Sequence, residues 1–175
     1  LDVTGDEWTD EHFQLIGSEC RGVSLVFGWL KARSLSLMSN LEVLRMEYLT
    51  QLEDDCDAAI REFKGEQIEF PEFDEISPRL AEAFAALPIN LTLGGVSDVR
   101  SIEVLCGPGS SIKELTLGTM CINSAAGAAM SSFNGDLSLP KLKYISADGA
   151  RALGAKQGHL SLFETDELSF MIEGD

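Results

Sequence analysis

Basic side chains are scarce in this chain: 13 lysines and arginines stand against 29 aspartates and glutamates, for a net charge of −16. Nucleic acid and anionic membrane surfaces are recognised through cationic patches, so neither is an expected partner. Long apolar runs are missing as well, and none approaches the roughly 20 residues that a membrane span requires. Histidine occurs twice, as His12 and His159, and no cysteine–histidine spacing or C-x-x-C fits a zinc site. G-x-S-x-G is absent, and the glycine-rich run Gly107-Pro108-Gly109-Ser110-Ser111 lacks the G-K-[ST] that cradles phosphate. Asp54, Asp55 and Asp57 lack the alternating oxygens and central glycine of a calcium loop and are read as helix-capping charge. Nothing calls for a cofactor or a metal. No signal-peptide pattern and no initiating methionine are present. Leu1 stands directly in a predicted strand and Asp175 in the last predicted helix, which implies ends trimmed by processing or cut from something longer.

What the chain does have is self-similarity at a fixed period, which is the first property to test. An apolar-x-apolar triplet opens at Leu1, Val23, Leu44, Ile68, Leu91, Leu115, Leu137 and Leu160. Another apolar residue follows five places on (Leu49, Phe73, Val96, Met120, Leu142), and a third at seven or eight. Each unit then changes to helical spacing, as in Phe13/Ile16, Leu35/Met38 and Leu80/Phe84, which puts both members on one helix face. One such unit cannot bury its own strand and helix faces, whereas stacked units bury both. The prediction is a single α/β domain, a solenoid of about eight units over residues 1–175. Third triplet positions such as Leu93, Leu117, Leu139 and Leu162 should form one interior column. In the second unit, Leu35-Ser36-Leu37 is an alternative strand, though it would leave the next opening only nine residues away.

Local punctuation marks the same boundaries. Ser77-Pro78 reads as a serine N-cap with proline at the first helical position, and Thr9, Ser146 and Ser169 occupy equivalent places. Gly22, Gly65, Gly135 and Gly158 precede strands, where helix-stopping glycines belong. Cys20 and Cys56 fall in helices about two layers apart, too far for a disulfide. The four cysteines therefore read as small buried thiols, in keeping with a reducing, cytoplasmic compartment.

The pattern L-x-L-x-x-L-x-x-L-S, then a helix and a glycine, resembles a divergent bacterial leucine-rich repeat over nearly the whole chain. Leu41-x-x-Leu44-x-Met46 and Ile112-x-x-Leu115-x-Leu117 match best. The resemblance implies stacked parallel strands. The family's asparagine or cysteine, which forms a buried ladder, is replaced here by Leu49, Phe73, Val96, Met120 and Leu142.

In an apolar-x-apolar strand the middle side chain faces away from the core. That row is Asp2, Ser24, Arg45, Glu69, Thr92, Thr116, Ser138 and Ser161, and the following residues, Glu47 and Gly118 among them, should approach the same face. The C-terminal part is small and hydroxyl-rich, and the middle is charged through Arg45, Glu47 and Glu69. The expected function is a non-catalytic scaffold that binds a protein or peptide on this face. Residues 1–87 carry 19 acidic and 7 basic side chains, net −12, which would steer a basic partner towards them. Two other readings stand beside it: a structural segment of a longer array, or a hydrolase built on His159 with Ser138 or Ser161 and an acid.

Overall fold

The computed structural model describes residues 8–53, 55–73, 75–162 and 169–171. In chain order the elements are α1 (Asp10–Glu19), β1 (Gly22–Leu25), β2 (Trp29–Leu30), α2 (Ala32–Leu37), β3 (Val43–Met46), β4 (Gln51–Leu52), α3 (Cys56–Arg61), β5 (Gln67–Phe70), α4 (Pro78–Ala85), β6 (Asn90–Leu93), α5 (Val99–Cys106), β7 (Glu114–Leu117), β8 (Cys121–Ile122), α6 (Ser124–Ser131), β9 (Asp136–Ser138), β10 (Tyr144–Ser146), α7 (Ala147–Leu153), β11 (Leu160–Ser161) and β12 (Ser169–Met171). Seven strands form one parallel sheet in the order β1-β3-β5-β6-β7-β9-β11, each paired with the next in that order. The sheet is open, and none closes into a barrel among the described residues. Successive helices pack side by side from α1 to α7. Among the described residues no helix is long and apolar enough to cross a membrane.

The triplet openings from Val23 to Leu160 all fall in these strands, while Leu1 lies outside the described residues. Period-two alternation explains the layering. In β3, β5 and β6, half-buried residues alternate with fully buried ones. The buried residues, including Leu44, Ile68, Leu91 and Leu115, join Leu35, Ile60, Phe84, Ile102 and Met130 of the helices in a single core. Phe70 packs edge-on against Phe73 and Phe84, with ring centroids 6.0 and 6.2 Å away. At the N-terminal end Trp8 packs on Phe13 and Phe27 at 5.4 and 5.3 Å. Leu35-Ser36-Leu37 is helical, as part of α2.

Helix starts follow the predicted caps where a short polar side chain reaches back. Ser77 Oγ accepts from Leu80 N–H at 3.2 Å, and Ser146 Oγ from Gly149 N–H at 3.0 Å. Thr9 precedes α1, and its N–H donates to His12 Nδ1 at 3.1 Å. Asp98 and Asn123 cap α5 and α6 in the same way.

Several expectations are corrected. Ser169 is not in a cap position: it pairs with Tyr144, and Met171 is opposite the capping Ser146. Met120 is exposed, although Leu49, Phe73, Val96 and Leu142 at the same offset are buried. Leu93, Leu117 and Leu139 are buried but Leu162 is 36% exposed, because β11 ends at Ser161 and no described helix follows to cover it. Asp57 stands in the first turn of α3, where its charge was expected, and it also pairs with the next helix. Its buried carboxylate accepts from Arg79 Nε of α4 at 2.9 Å, and its other oxygen has no hydrogen-bond partner among the described residues. Asp55 precedes α3 without a side-chain cap bond, and Asp54 lies outside the described residues. Cys20 and Cys121 are exposed; only Cys56 and Cys106 are buried, and all four are free thiols.

The glycines serve close approach more than helix termination. Only Gly158, at φ 83°, takes the left-handed conformation among the described residues. A Cβ on Gly65 would sit 2.1 Å from the Leu41 carbonyl oxygen. At the corner after each central strand, a Cβ on Gly94 would meet the Pro71 oxygen at 2.3 Å, and one on Gly118 the Gly94 oxygen at 1.7 Å. Backbone stacks directly on backbone there.

Candidate functional site

Parallel register places the predicted row on one line across the sheet. Ser24 is opposite Arg45, Arg45 opposite Glu69, and Glu69 opposite Thr92. The line continues through Thr116, Ser138 and Ser161. From Arg45 onwards these residues are half-buried, and Ser24 is exposed. Their neighbours in the strands point into the core, so the row occupies the face opposite the helices.

The row divides chemically. Arg45 donates from Nε to Glu47 Oε1 at 2.6 Å and from Nη2 to Glu47 Oε2 at 3.3 Å. Its Nη1 donates to Glu69 Oε2 at 2.6 Å. One planar guanidinium thus binds two carboxylates, a geometry that lysine cannot reproduce. Ser24 Oγ donates to Glu47 Oε1 at 3.3 Å, and Gln67 Nε2 donates to Glu69 Oε1. The hydrogen bonds from Arg45 hold the Glu47 carboxyl below its usual range, and the Glu47 bond in turn raises Arg45. This end of the face is internally satisfied, with one cation against two anions.

The other end is not. Among the described residues, the hydroxyls of Thr92, Thr116, Ser138 and Ser161 form no side-chain hydrogen bond. Thr116, Ser138 and Ser161 line a shallow depression of about 230 Å³, edged by Glu114, Asp136 and His159. Gly94 and Gly118, expected to approach this face, are buried at the stacked corner and offer it no surface.

His159 touches Asp136 through its backbone N–H, at 3.4 Å to Oδ1. No described hydrogen bond joins its ring to Ser138 or Ser161, so the depression holds the residue types of a hydrolytic site without a nucleophile–base contact. Gly107–Ser111 follows α5 as a connecting loop: Ser110 N–H bonds the Gly107 carbonyl at 2.9 Å and Ser111 N–H the Ala85 carbonyl at 2.7 Å. Those amides are thereby unavailable to a phosphate.

Gln67 joins the face although the apolar-x-apolar pattern does not single it out. It precedes Glu69 by two residues, and period-two spacing puts it on the same face. Compared with protein-family models the chain has no match, and a search of curated proteins gives none.

Proposed function

We propose that this chain is an α/β solenoid resembling a bacterial leucine-rich repeat protein, and that it works as a non-catalytic scaffold for an extended peptide or a protein loop. The pairing of each main strand with the next in sequence, and the packing of each helix on the next, support the stacked reading. The observation that carries the function is the row Thr92-Thr116-Ser138-Ser161, four hydroxyls in register on the sheet face opposite the helices, without a hydrogen-bond partner among the described residues. Such a row presents donors and acceptors with little side-chain relief, which suits contact with a main chain lying across the strands. The Arg45–Glu47–Glu69 cluster borders this track. Its groups already satisfy one another, so it contributes shape and local charge more than free hydrogen-bonding capacity.

The test is affinity capture from source-cell lysate by the wild-type chain and by Thr116→Arg/Ser138→Arg, read by quantitative mass spectrometry. The variant fills the track with two long cations at half-buried positions and should lose the captured protein while keeping its circular dichroism spectrum. Identical captured sets would remove the sheet face as the binding site.

A further inference from the structure

A second ladder of short strands runs beside the main sheet, and it is broken in the middle. β2 pairs with β4, and β8 pairs with β10 and β10 with β12, all parallel. The corresponding segments of the two units between, Glu75-Ile76 and Ser97-Asp98, are irregular. At the break, Ser101 Oγ donates to the Ile76 carbonyl at 2.8 Å. Among the described residues no backbone hydrogen bond joins β4 to residues 75–76. Among the described residues the edge of β4 facing the break has no paired strand, and unpaired edges are templates for another strand.

A cavity of about 590 Å³ opens at this break, within the range of ligand-binding clefts. Its walls include Gln51 and Leu52 of the free edge, with Phe73, Ile76 and Leu80 supplying apolar surface. Glu53, Glu75 and Asp98 line it too, and no lysine or arginine does. Glu53 and Glu75 are exposed and form no ion pair among the described residues. The Asp98 carboxyl is held below its usual range, first by the Ser101 hydroxyl bond, and so remains ionised. Nearby Arg79 is engaged with Asp57. The described residues contain no group of three acidic, histidine or cysteine side chains placed to hold a metal.

We infer that this cleft is a second docking surface, which takes an extended lysine- or arginine-bearing segment of a partner protein as an added strand on the free edge of β4. Main-chain hydrogen bonds supply the register, the apolar floor receives alternate side chains, and Glu53, Glu75 and Asp98 receive the basic ones. The surface is separate from the hydroxyl row, so each can fail without the other.

The test uses fluorescence anisotropy at low salt with a labelled octapeptide of alternating lysine and valine. Two control peptides have glutamate in place of lysine, or N-methyl groups on alternate backbone amides. The wild-type chain should bind the lysine peptide, more weakly as salt rises. Glu53→Lys/Glu75→Lys, at exposed positions, should weaken binding at least about tenfold. The N-methylated peptide should lose a similar factor, and the glutamate peptide should not bind. Thr116→Arg/Ser138→Arg should bind the lysine peptide as the wild type does. No binding of the lysine peptide, indifference to the charge reversal, or equal binding of the N-methylated peptide would each overturn the inference. So would a concentration-dependent dimer abolished by Glu53→Lys/Glu75→Lys in sedimentation velocity, which would assign the edge to a second copy of the chain.

Discussion

Leu117 and Leu162 hold the same place in their triplets, yet they should differ widely in what truncation to alanine costs. Leu117 is 0% exposed and pairs in register with Leu93, itself 1% exposed. The glycine corner directly after it, where Gly118 stacks on the Gly94 carbonyl, leaves the backbone little room to close a void. A cavity that cannot collapse puts Leu→Ala towards the upper part of the observed range, about 3 to 5 kcal/mol. Leu162 is 36% exposed and borders solvent, so its truncation should cost no more than about 0.5 kcal/mol. With a urea dependence of roughly 2 kcal/mol per molar, Leu117→Ala lowers the unfolding midpoint by about 1.5 to 2.5 M and Leu162→Ala by less than about 0.3 M. Urea titration followed by circular dichroism and by tryptophan fluorescence reads both shifts, and agreement between the two probes checks cooperativity. Equal shifts for the two variants, or a cost below about 1 kcal/mol for Leu117→Ala, would refute the account of a continuous packed interior that, among the described residues, leaves Leu162 at its margin.

Thiol chemistry gives a second check. Cys20 and Cys121 are exposed, whereas burial raises the Cys56 thiol to about 11 and the Cys106 thiol to about 12. Iodoacetamide under native conditions should label Cys20 and Cys121 quickly and the other two only on unfolding, as peptide mapping would show; four equally fast sites would contradict the packing. A third prediction concerns acid. Glu47 titrates below its ordinary value of 4.5 because the folded chain binds its charged form through Arg45. Its contribution to stability is therefore present above that ordinary value and disappears as pH falls through the depressed one. Carbon-detected NMR titration should find the Glu47 midpoint low in the wild type and shifted upwards in Arg45→Met, and no shift between the two would dismiss the pairing.

The parts of the fold that were legible in the sequence are those written as periodicity. Alternation in stretches such as Ile68-Glu69-Phe70 marks β5, and Ser77-Pro78 marks the start of α4, because each rests on neighbours within a few residues. The hydroxyl row was legible for the same reason. The second ladder was not: two-residue strands such as β4 and β8 have no period to detect, and their pairing depends on contacts more than twenty residues away. The Arg45–Glu69 bond spans 24 positions and follows from register, so composition gave the charges and only stacking gave their mutual satisfaction. Gly65 and Gly118 illustrate a different limit. Gly65 reads as a helix stop and Gly118 as part of the exposed face, while the closeness of Leu41 or Gly94, which is what excludes a side chain, exists only in three dimensions.

The stacked corner of Pro71, Gly94 and Gly118 also partitions how freely this molecule can change over generations. With a carbonyl oxygen 1.7 Å from where a methyl would begin, position 118 tolerates nothing larger than hydrogen, and an inserted residue there would force neighbouring layers apart. Gly28 and Gly109 have open space on that side, with no atom within 4 Å. Side chains can be added at those two places, and substitutions in a lineage of such chains should accumulate there long before they touch the corner.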